Sequence, residues 1–405
     1  MLFPAAVLLA AVFGAAAATT EGGASTAAAL DALAGRDLVV FEQRRKGAPA
    51  RVLAATRVGA AAAAVRAVLL DPNAWRQAVP ALVRAEVVGP RRPAEARIAW
   101  EIEIPLFNLE GKLRVISPSA HRVDLELLEG DLAPGRLSFT LADDVDGATC
   151  VVAVEGHANL HGANWLFRRL LARSPLAEPA MTATAAWVLL RAATTRAVHP
   201  GTGTEPKRAR RPRGPPAPPP ARTLDARPLG HDALAPFRAR GVVAAVESAA
   251  GGRLAAIHVA GETPLSATKL AAAVATPETW QAFPGWKRVS RASRLPAGRV
   301  TVEGDMLFTD FDATWRVEAA AGGGVPVRAT AVAGRTRGAV LGWDVIATPG
   351  GRALALFSLN PLLETTGWLP RRFIEAEPLL EHGLSLALAY VDAVSVLTRI
   401  TGARY

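Results

Sequence analysis

The sequence is poor in the residues that most often carry redox, metal and nucleophilic chemistry. Its 405 residues include one cysteine, two tyrosines, three methionines and seven histidines. A single cysteine, Cys150, can form neither an intramolecular disulfide nor the cysteine cluster of a structural zinc site. It stands in an apolar run, which predicts a buried core residue. Charged residues make up only 20% of the chain and hydrophobic residues 50%, which excludes disorder as its general state.

Long uncharged hydrophobic runs are also scarce. The apolar run Ala5 to Ala18 is too short to span a membrane comfortably, and small residues follow it. We therefore expect a signal peptide at residues 1–20 and an exported protein, in the bacterial periplasm. No cysteine follows the run, so no lipid anchor is expected. The alternative is an Ala-rich buried or frayed helix.

The formal charge of +10 is concentrated in one segment. Residues 199–222 hold eight prolines and six Lys or Arg residues against the single acid Glu205. Such a segment cannot form a core, so it is predicted to be a stiff, solvated linker. It could alternatively act as a basic patch for an anionic membrane surface. No nucleic-acid-reading motif accompanies it, so no specific nucleic-acid partner is expected.

Two blocks of sequence recur in the same order on either side of this linker. Residues 71–75 (Asp-Pro-Asn-Ala-Trp) match 276–280 (Thr-Pro-Glu-Thr-Trp), and 165–169 (Trp-Leu-Phe-Arg-Arg) match 368–372 (Trp-Leu-Pro-Arg-Arg). The first Trp precedes the second by 90 residues in one copy and by 88 in the other. A period of this length indicates two duplicated domains, which we place at residues 36–198 and 235–401.

Each copy predicts an α+β domain. In the first copy a strand at 51–56 precedes a helix at 59–70, which Pro72 ends, and a second helical piece at about 75–82. Alternating apolar residues, as at 98–104, then predict about six antiparallel strands, and a long helix closes the copy at about 164–196. An apolar stripe runs along this last helix at Met181, Ala185 and Val188, and at Leu384, Leu388 and Val391 in the second copy.

This order of elements resembles the helix-grip fold of the START/SRPBCC superfamily, of the polyketide-cyclase or coenzyme-Q-binding type. The resemblance rests on the helix-Asp-Pro-x-x-Trp-x-x-x-x-Pro entry at 71–80, its counterpart at 276–284, and the Gly-Trp-Leu-Pro-Arg-Arg entry at 367–372. It implies a curved antiparallel sheet wrapped around each long C-terminal helix. It also implies a hydrophobic ligand, such as a lipid, sterol, quinone or polyketide, between the two layers.

The resemblance implies that such a cavity is lined by large apolar residues on the strands and along the helix stripe. The alternative for each of them is an ordinary core position. The predicted lining residues are Trp75, Trp100, Phe107, Phe139, Met181 and Val188 in the first copy, and Trp280, Phe308, Trp315, Phe357, Leu384 and Leu388 in the second.

No catalytic set or metal site is predicted. His157 and His161 stand four residues apart, but the second copy has Asn360 and Glu364 at the matching positions. Glu101 and Glu103 are alternate residues of one strand, which is typical of a solvated face. A feature present in only one copy, such as this pair of histidines, is weaker evidence for a site than a feature present in both. No cofactor is expected.

The basic pairs Arg168–Arg169 and Arg371–Arg372 are the polar feature present in both copies. They fall in the first turn of the predicted last helix, where positive charge opposes the helix dipole. One hypothesis places them at the cavity mouth, facing a membrane phosphate or a ligand head group. The alternative is an ion pair to Glu178 or Glu381, or plain exposure.

Together these features predict an exported carrier of a hydrophobic small molecule or lipid, without catalysis. Two alternatives remain. One is an aromatase/cyclase-type enzyme acting on a polyketide or another hydrophobic substrate. The other is a ligand-free scaffold module whose interior is filled by side chains.

Overall fold

The structure, a computed structural model, describes residues 24–43, 50–90, 92, 95–105, 107–163, 165–200, 224–249, 251–291, 297–306, 309–319, 327–403 and 405. The predicted signal peptide, all but two residues of the predicted linker, and Phe308 lie outside the described residues. Phe107 is described only by its backbone.

The first half contains two strands, two short helices, six further strands and two final helices, after a leading helix. The elements are α1 (24–32), β1 (Asp37–Glu42), β2 (Val52–Val58), α2 (Ala62–Leu69), α3 (Pro72–Ala78), β3 (Leu82–Val87), β4 (Glu95–Ile104), β5 (Phe107–Ser119), β6 (Arg122–Gly130), β7 (Gly135–Asp143), β8 (Cys150–His157), α4 (Trp165–Arg173) and α5 (Ala177–Val198).

The second half repeats this order. The elements are α6 (Ala235–Arg238), β9 (Gly241–Ser248), β10 (Leu254–Thr263), α7 (Ala267–Val274), a 3-10 helix (Pro277–Ala282), β11 (Trp286–Arg291), β12 (Ala297–Met306), β13 (Thr309–Ala319), β14 (Val327–Gly334), β15 (Val340–Thr348), β16 (Arg352–Asn360), α8 (Leu363–Thr366), α9 (Trp368–Ala376) and α10 (Leu380–Thr401).

The recurring Asp-Pro and Thr-Pro blocks start the second helical piece of each half. Asp71 caps α3 by accepting a 2.9 Å hydrogen bond from the backbone of Asn73, and Pro72 occupies the first turn, where its missing N–H costs nothing. The indole of the Trp in each block then donates a hydrogen bond to a carbonyl at the C-terminal end of the preceding helix. Trp75 donates to the carbonyl of Val68 at 3.0 Å, and Trp280 donates to that of Val274 at 2.9 Å.

The sixteen described strands form one continuous antiparallel sheet. Its order is β11-β12-β13-β14-β15-β16-β10-β9-β1-β2-β8-β7-β6-β5-β4-β3. The halves meet where β1 pairs with β9, and the register sets Val39 opposite Ala244. These two residues are equivalent under the shift that superposes Trp75 on Trp280. The duplicated halves are therefore related by a pseudo-two-fold axis through the β1–β9 pair.

Both faces of the sheet are covered at this junction. Val39, Phe41 and Ala244 belong to the large core shared with α5 and α10. The alternate residues Leu38 and Val40 pack into a second core, which includes residues of α1 and of the segment before β9. Strands buried on both faces require apolar residues at successive positions, and β1 reads Leu-Val-Val-Phe for that reason.

The two last long helices also pack on each other across the pseudo-two-fold axis. Phe41 of the first half stacks on Tyr390 of α10 at a centroid distance of 3.7 Å. Trp187 of α5 stacks on His382 of α10 at 5.1 Å. At the point of closest approach, Thr184 donates a 2.7 Å hydrogen bond to the carbonyl of Gly383. The two halves thus share one interior.

The contact between Gly383 and Thr184 predicts that Gly383→Ala has opposite effects on stability with and without the Thr184 methyl group. A Cβ at Gly383 would lie 2.7 Å from Cγ2 of Thr184, so Gly383→Ala should destabilise the protein by about 1–3 kcal/mol through overpacking. In the Thr184→Ser protein that methyl is absent and the hydroxyl remains. Gly383→Ala should then stabilise by up to ~1 kcal/mol through helix propensity. Urea unfolding of the four proteins measures both effects, and stabilisation in both backgrounds would contradict the packing argument.

The end of each half differs from the single long helix predicted from the sequence. In the first half α4 ends at Arg173 and α5 begins at Ala177. Pro175 lies in the break, because proline has no N–H to continue the helical ladder and restricts the residue before it. Helix α10 is long and apolar enough to cross a membrane, but 61% of its apolar window is buried inside this structure.

Candidate functional site: a cavity beside helix α10

A cavity of about 540 Å³ lies in the second half against helix α10. The helix contributes Leu384, Leu388 and Val391, the apolar stripe predicted from the sequence. These three side chains are only half-buried, whereas Leu386 and Val394 on other faces of the helix are completely buried. The stripe thus faces the cavity, which is partly open to solvent.

An aromatic wall faces the helix. Trp315 of β13 and Trp286 of β11 both line the cavity, with ring centroids 6.0 Å apart. The ring of Phe283 contacts that of Trp286 edge-on, at a centroid distance of 4.7 Å. Leu341 and Leu359, from β15 and β16, complete the sheet side.

The first half closes one side of the same cavity. Ser174, Ala177, Ala180 and Met181, from the start of α5 and the turn before it, all line the cavity. They reach it because α5 and α10 pack on each other across the pseudo-two-fold axis. The site therefore belongs to the pair of domains.

Among the polar side chains of the lining, three each carry a buried atom without a hydrogen-bond partner among the described residues. These atoms are Nε1 of Trp315, Oγ1 of Thr336 and Oδ1 of Asp392. Asp392 is only 5% exposed. Burial raises the pKa of its carboxyl well above the usual range. Burial therefore favours the protonated form of the carboxyl, which can donate a hydrogen bond, over the charged form.

Four of the predicted lining residues lie at this cavity, namely Met181, Trp315, Leu384 and Leu388. Met181 reaches it from the other half of the chain, which the sequence did not suggest. Trp100, Phe139, Val188 and Phe357 are buried in the common core, and the indoles of Trp75 and Trp280 bond to helix ends. The sites predicted at these positions stay predictions.

The basic pairs are exposed in the middle of the short helices α4 and α9. They do not lie in the first turn of the last long helix, as predicted, because each half has a helix break after them. Arg168 donates to the carbonyl of Ala163, and Arg371 and Arg372 form ion pairs with Glu375 at 3.1 and 3.5 Å. Trp368, at the start of α9, is 61% exposed. A role for these residues at a membrane stays a prediction.

The groups considered for metal or thiol chemistry are placed apart from the cavity. His157 ends β8, and His161 is exposed in the segment after it. In the part of the chain that the structure describes, no group of three or more His, Cys, Asp or Glu side chains could hold a metal ion. Cys150 is buried as predicted, and burial raises the pKa of its thiol to about 12.

Sequence reasoning missed Asp392, Thr336 and Trp286. Asp392 interrupts the apolar stretch of the last helix, where the first copy has Leu189. The signal was therefore visible as a difference between the copies. A residue present in only one copy is not among the features that the two copies share, which are the ones that predicted the site.

No family model matches the sequence, and no curated protein matches it. Among solved structures, the di-domain ARO/CYC StfQ from the steffimycin biosynthetic pathway has 13% identity and a TM-score of 0.27, covering 84% of this chain and 98% of its own. The di-domain ARO/CYC BexL has 12% identity and a TM-score of 0.26, covering 88% and 99%.

The STAR-related lipid transfer protein from Xanthomonas axonopodis matches over a shorter span. Its identity is 18% and its TM-score 0.32, covering 41% of this chain and 94% of its own. Likeness at this level carries no argument about function, which has to rest on the cavity. These ARO/CYC and STAR-related proteins are what the chain is similar to, and the two di-domain ones cover most of both copies.

Proposed function

We propose that the protein binds a hydrophobic small molecule in the cavity beside α10. The observation that carries the proposal is the half-buried stripe of Leu384, Leu388 and Val391, which faces about 540 Å³ of space and not packed side chains. That volume falls within the ~300–1,000 Å³ typical of small-molecule sites. A cavity of this kind favours a binding protein over a module whose interior is filled.

The apolar lining is sufficient to drive such binding. Transfer of ~300 Å² of ligand surface from water contributes about 7 kcal/mol at ~25 cal/mol per Å². Loss of translational and rotational freedom offsets a part of this, so the affinity depends on fit and on the few polar contacts. A carrier needs no more chemistry than this. In this proposal the second half of the sheet curves around α10 and holds the ligand between the two layers.

Filling the cavity should abolish binding. Leu388→Trp places an indole in the open space and should weaken binding of the uncharged fluorescent probe N-phenyl-1-naphthylamine at least tenfold, because the probe and the indole compete for the same volume. The measurement is a fluorescence titration of the purified full-length protein.

A matched control adds the same indole elsewhere. Val87→Trp lies on β3 of the first half at a position that is 40% exposed, and should leave the titration unchanged. Equal binding by the wild type and both variants would show that the probe does not enter this cavity. Native mass spectrometry of the purified protein, followed by solvent extraction, would identify a ligand that is retained from the cell.

Asp392 favours one second candidate, an aromatase/cyclase-type enzyme. A neutral carboxyl inside an apolar cavity can act as a general acid toward a bound substrate. Such an enzyme also needs a base to remove a proton. Of the described lining residues, Asp392 is the only one with a carboxyl, and Lys287 lies at the exposed edge. Binding without turnover therefore remains our proposal, and conversion of an added polyketide-like ketone would overturn it.

A further inference from the structure

Helix α9 presents an exposed aromatic ring and two positive charges on one face. Its residues Leu369 and Phe373 are buried. By contrast, Trp368, Arg371 and Arg372 are exposed. These three residues are spaced i, i+3 and i+4, so they lie side by side on the outer surface of the helix, which we call the basic face of α9. A single exposed tryptophan beside two arginines is an amphipathic surface.

Helix α4 carries the corresponding basic face in the first half. Phe167 is buried, and Arg168 and Arg169 are exposed. The nine residues of α4 include three arginines and no acid. The acid on α9 is Glu375, which pairs with both arginines of that helix at the surface. Exposed pairs of this kind are weak, so they leave the arginines available to a stronger anionic partner.

The two basic faces lie on the same side of the sheet. In an antiparallel pair, the side chains of directly opposite residues share one face. Val39 and Ala244 are opposite in the β1–β9 pair, and both belong to the core shared with α5 and α10. The pseudo-two-fold axis between these equivalent residues is therefore perpendicular to the sheet. Rotation about it exchanges α4 and α9 without moving either helix to the other side.

Both helices also adjoin the cavity beside α10. Ser174, the residue directly after α4, lines the cavity, and so does Leu363 of α8, the helix that precedes α9. Pro284 and Lys287 form an exposed part of its rim. An apolar molecule that crosses this rim therefore passes close to the basic faces.

We propose that the basic faces of α4 and α9 together form a docking surface for a membrane that contains anionic lipids. Arginines near such a membrane are attracted to its negative surface charge, and tryptophan is enriched at the boundary between headgroups and acyl chains. The apolar cavity beside the surface favours a membrane over a nucleic acid. The docking surface is separate from the cavity, so either proposal can fail without the other.

Flotation of the full-length protein with lipid vesicles measures the docking. At low salt the wild type should bind vesicles of phosphatidylcholine and phosphatidylglycerol far more tightly than vesicles of phosphatidylcholine alone, and high salt should release it. Replacing Arg168, Arg169, Arg371 and Arg372 together with glutamine should weaken this binding at least ~50-fold, because each basic residue contributes roughly fivefold. Trp368→Ala should weaken it about fivefold without a change of charge.

A matched control removes the same charge from the opposite face of the sheet. Four exposed arginines alternate along their strands with residues that pack into the core, namely Arg97, Arg288, Arg299 and Arg316. Replacing these four with glutamine should leave vesicle binding within about threefold of the wild type, because they face away from the docked membrane. Both quadruple variants should bind N-phenyl-1-naphthylamine in vesicle-free solution as the wild type does, which shows that they are folded.

Several outcomes would overturn the docking surface. They are failure of the wild type to bind the anionic vesicles, equal binding by the wild type and the first quadruple variant, and equal losses in both quadruple variants. If the wild type ignores vesicles but needs the arginines of α4 and α9 to bind single-stranded RNA, the partner is a nucleic acid and the membrane is ruled out. Vesicle binding by a wild type that does not bind the probe would overturn the proposed function alone.

Discussion

Replacing Asp392 with leucine is expected to stabilise the protein by about 2 kcal/mol near pH 4, and by more at neutral pH. The substitution removes a buried oxygen that has no hydrogen-bond partner among the described residues, and such an atom costs about 1–3 kcal/mol. It introduces the residue that the equivalent position of α5 already has. The free energy of unfolding from urea titrations measures the gain. A stabilising substitution that also impairs ligand recognition would mark Asp392 as a functional residue.

The gain should grow as the pH rises. Burial raises the pKa of Asp392 in the folded state, so folding requires the carboxyl to bind a proton. Its contribution to stability is complete below the unfolded pKa near 4 and is lost as the pH rises toward the folded pKa, at about 1.4 kcal/mol per pH unit. Leucine does not titrate, so the difference between the variant and the wild type should widen from pH 5 to pH 7. A constant difference would contradict the burial of an unpaired acid.

The reverse substitution in the first half is the matched control. Leu189→Asp places the same carboxyl at the equivalent position of α5. It should destabilise the protein, and more at pH 7 than at pH 5, for the same reason. Leu189 is only half-buried, so this loss of stability should be smaller than the gain from Asp392→Leu.

Replacing Glu377 with glutamine is expected to stabilise the protein at alkaline pH and to have little effect near pH 4. Glu377 lies in the turn between α9 and α10 and is only 3% exposed. Burial raises the pKa of its carboxyl from 4.5 to about 7, although the backbone N–H groups of Leu379 and Ala81 oppose the shift. Ala81 belongs to the first half, so Glu377 lies where the two halves meet.

The direction of the pH dependence follows from the raised pKa of Glu377. The stabilising contribution of Glu377 is present below pH 4.5 and is lost as the pH rises through 7. A shift of this size amounts to roughly 3 kcal/mol. Glutamine keeps the acceptor for the backbone of Leu379 and does not titrate. The measurement is the pH dependence of unfolding, from pH 4 to pH 8.5.

An exposed acid of the neighbouring helix provides the control for Glu377. Glu375 pairs with Arg371 and Arg372 at the surface, and Glu375→Gln changes the net charge by the same amount. Surface pairs contribute about 0–1 kcal/mol, so this variant should follow the pH profile of the wild type. Parallel profiles for Glu377→Gln and the wild type would show that the carboxyl at the junction is hydrated.

The order of elements could be predicted from the sequence because local patterns specify it. Alternating apolar residues give the strands, and prolines at 72 and 277 mark where one helix ends and the next short one starts. Helix α1, strand β1 and the break in the last helix escaped this reasoning. Strand β1 was not predicted, and its run of consecutive apolar residues cannot be distinguished from a helix by periodicity. The break in the last helix at Pro175 was overlooked.

The candidate site was predictable only in part. The stripe of Leu384, Leu388 and Val391 was found as an apolar helix face, but periodicity cannot tell whether such a face meets packed side chains or open space. The contribution of Met181 depends on how α5 and α10 cross, a contact between residues some two hundred positions apart. A contact between residues so far apart in the chain produces no local pattern that can be recognised in a single sequence.

The duplication is what the sequence determined by itself, because repeated blocks at matched spacing record a shared structure whatever its packing. Only the tertiary structure decided how the copies combine. The β1–β9 pair joins them into one sheet, and α5 closes the cavity of the second half. The packing also decided which departure from the repeat matters. The second copy has Asp392 where the first has Leu189, and burial beside an apolar cavity raises the pKa of its carboxyl.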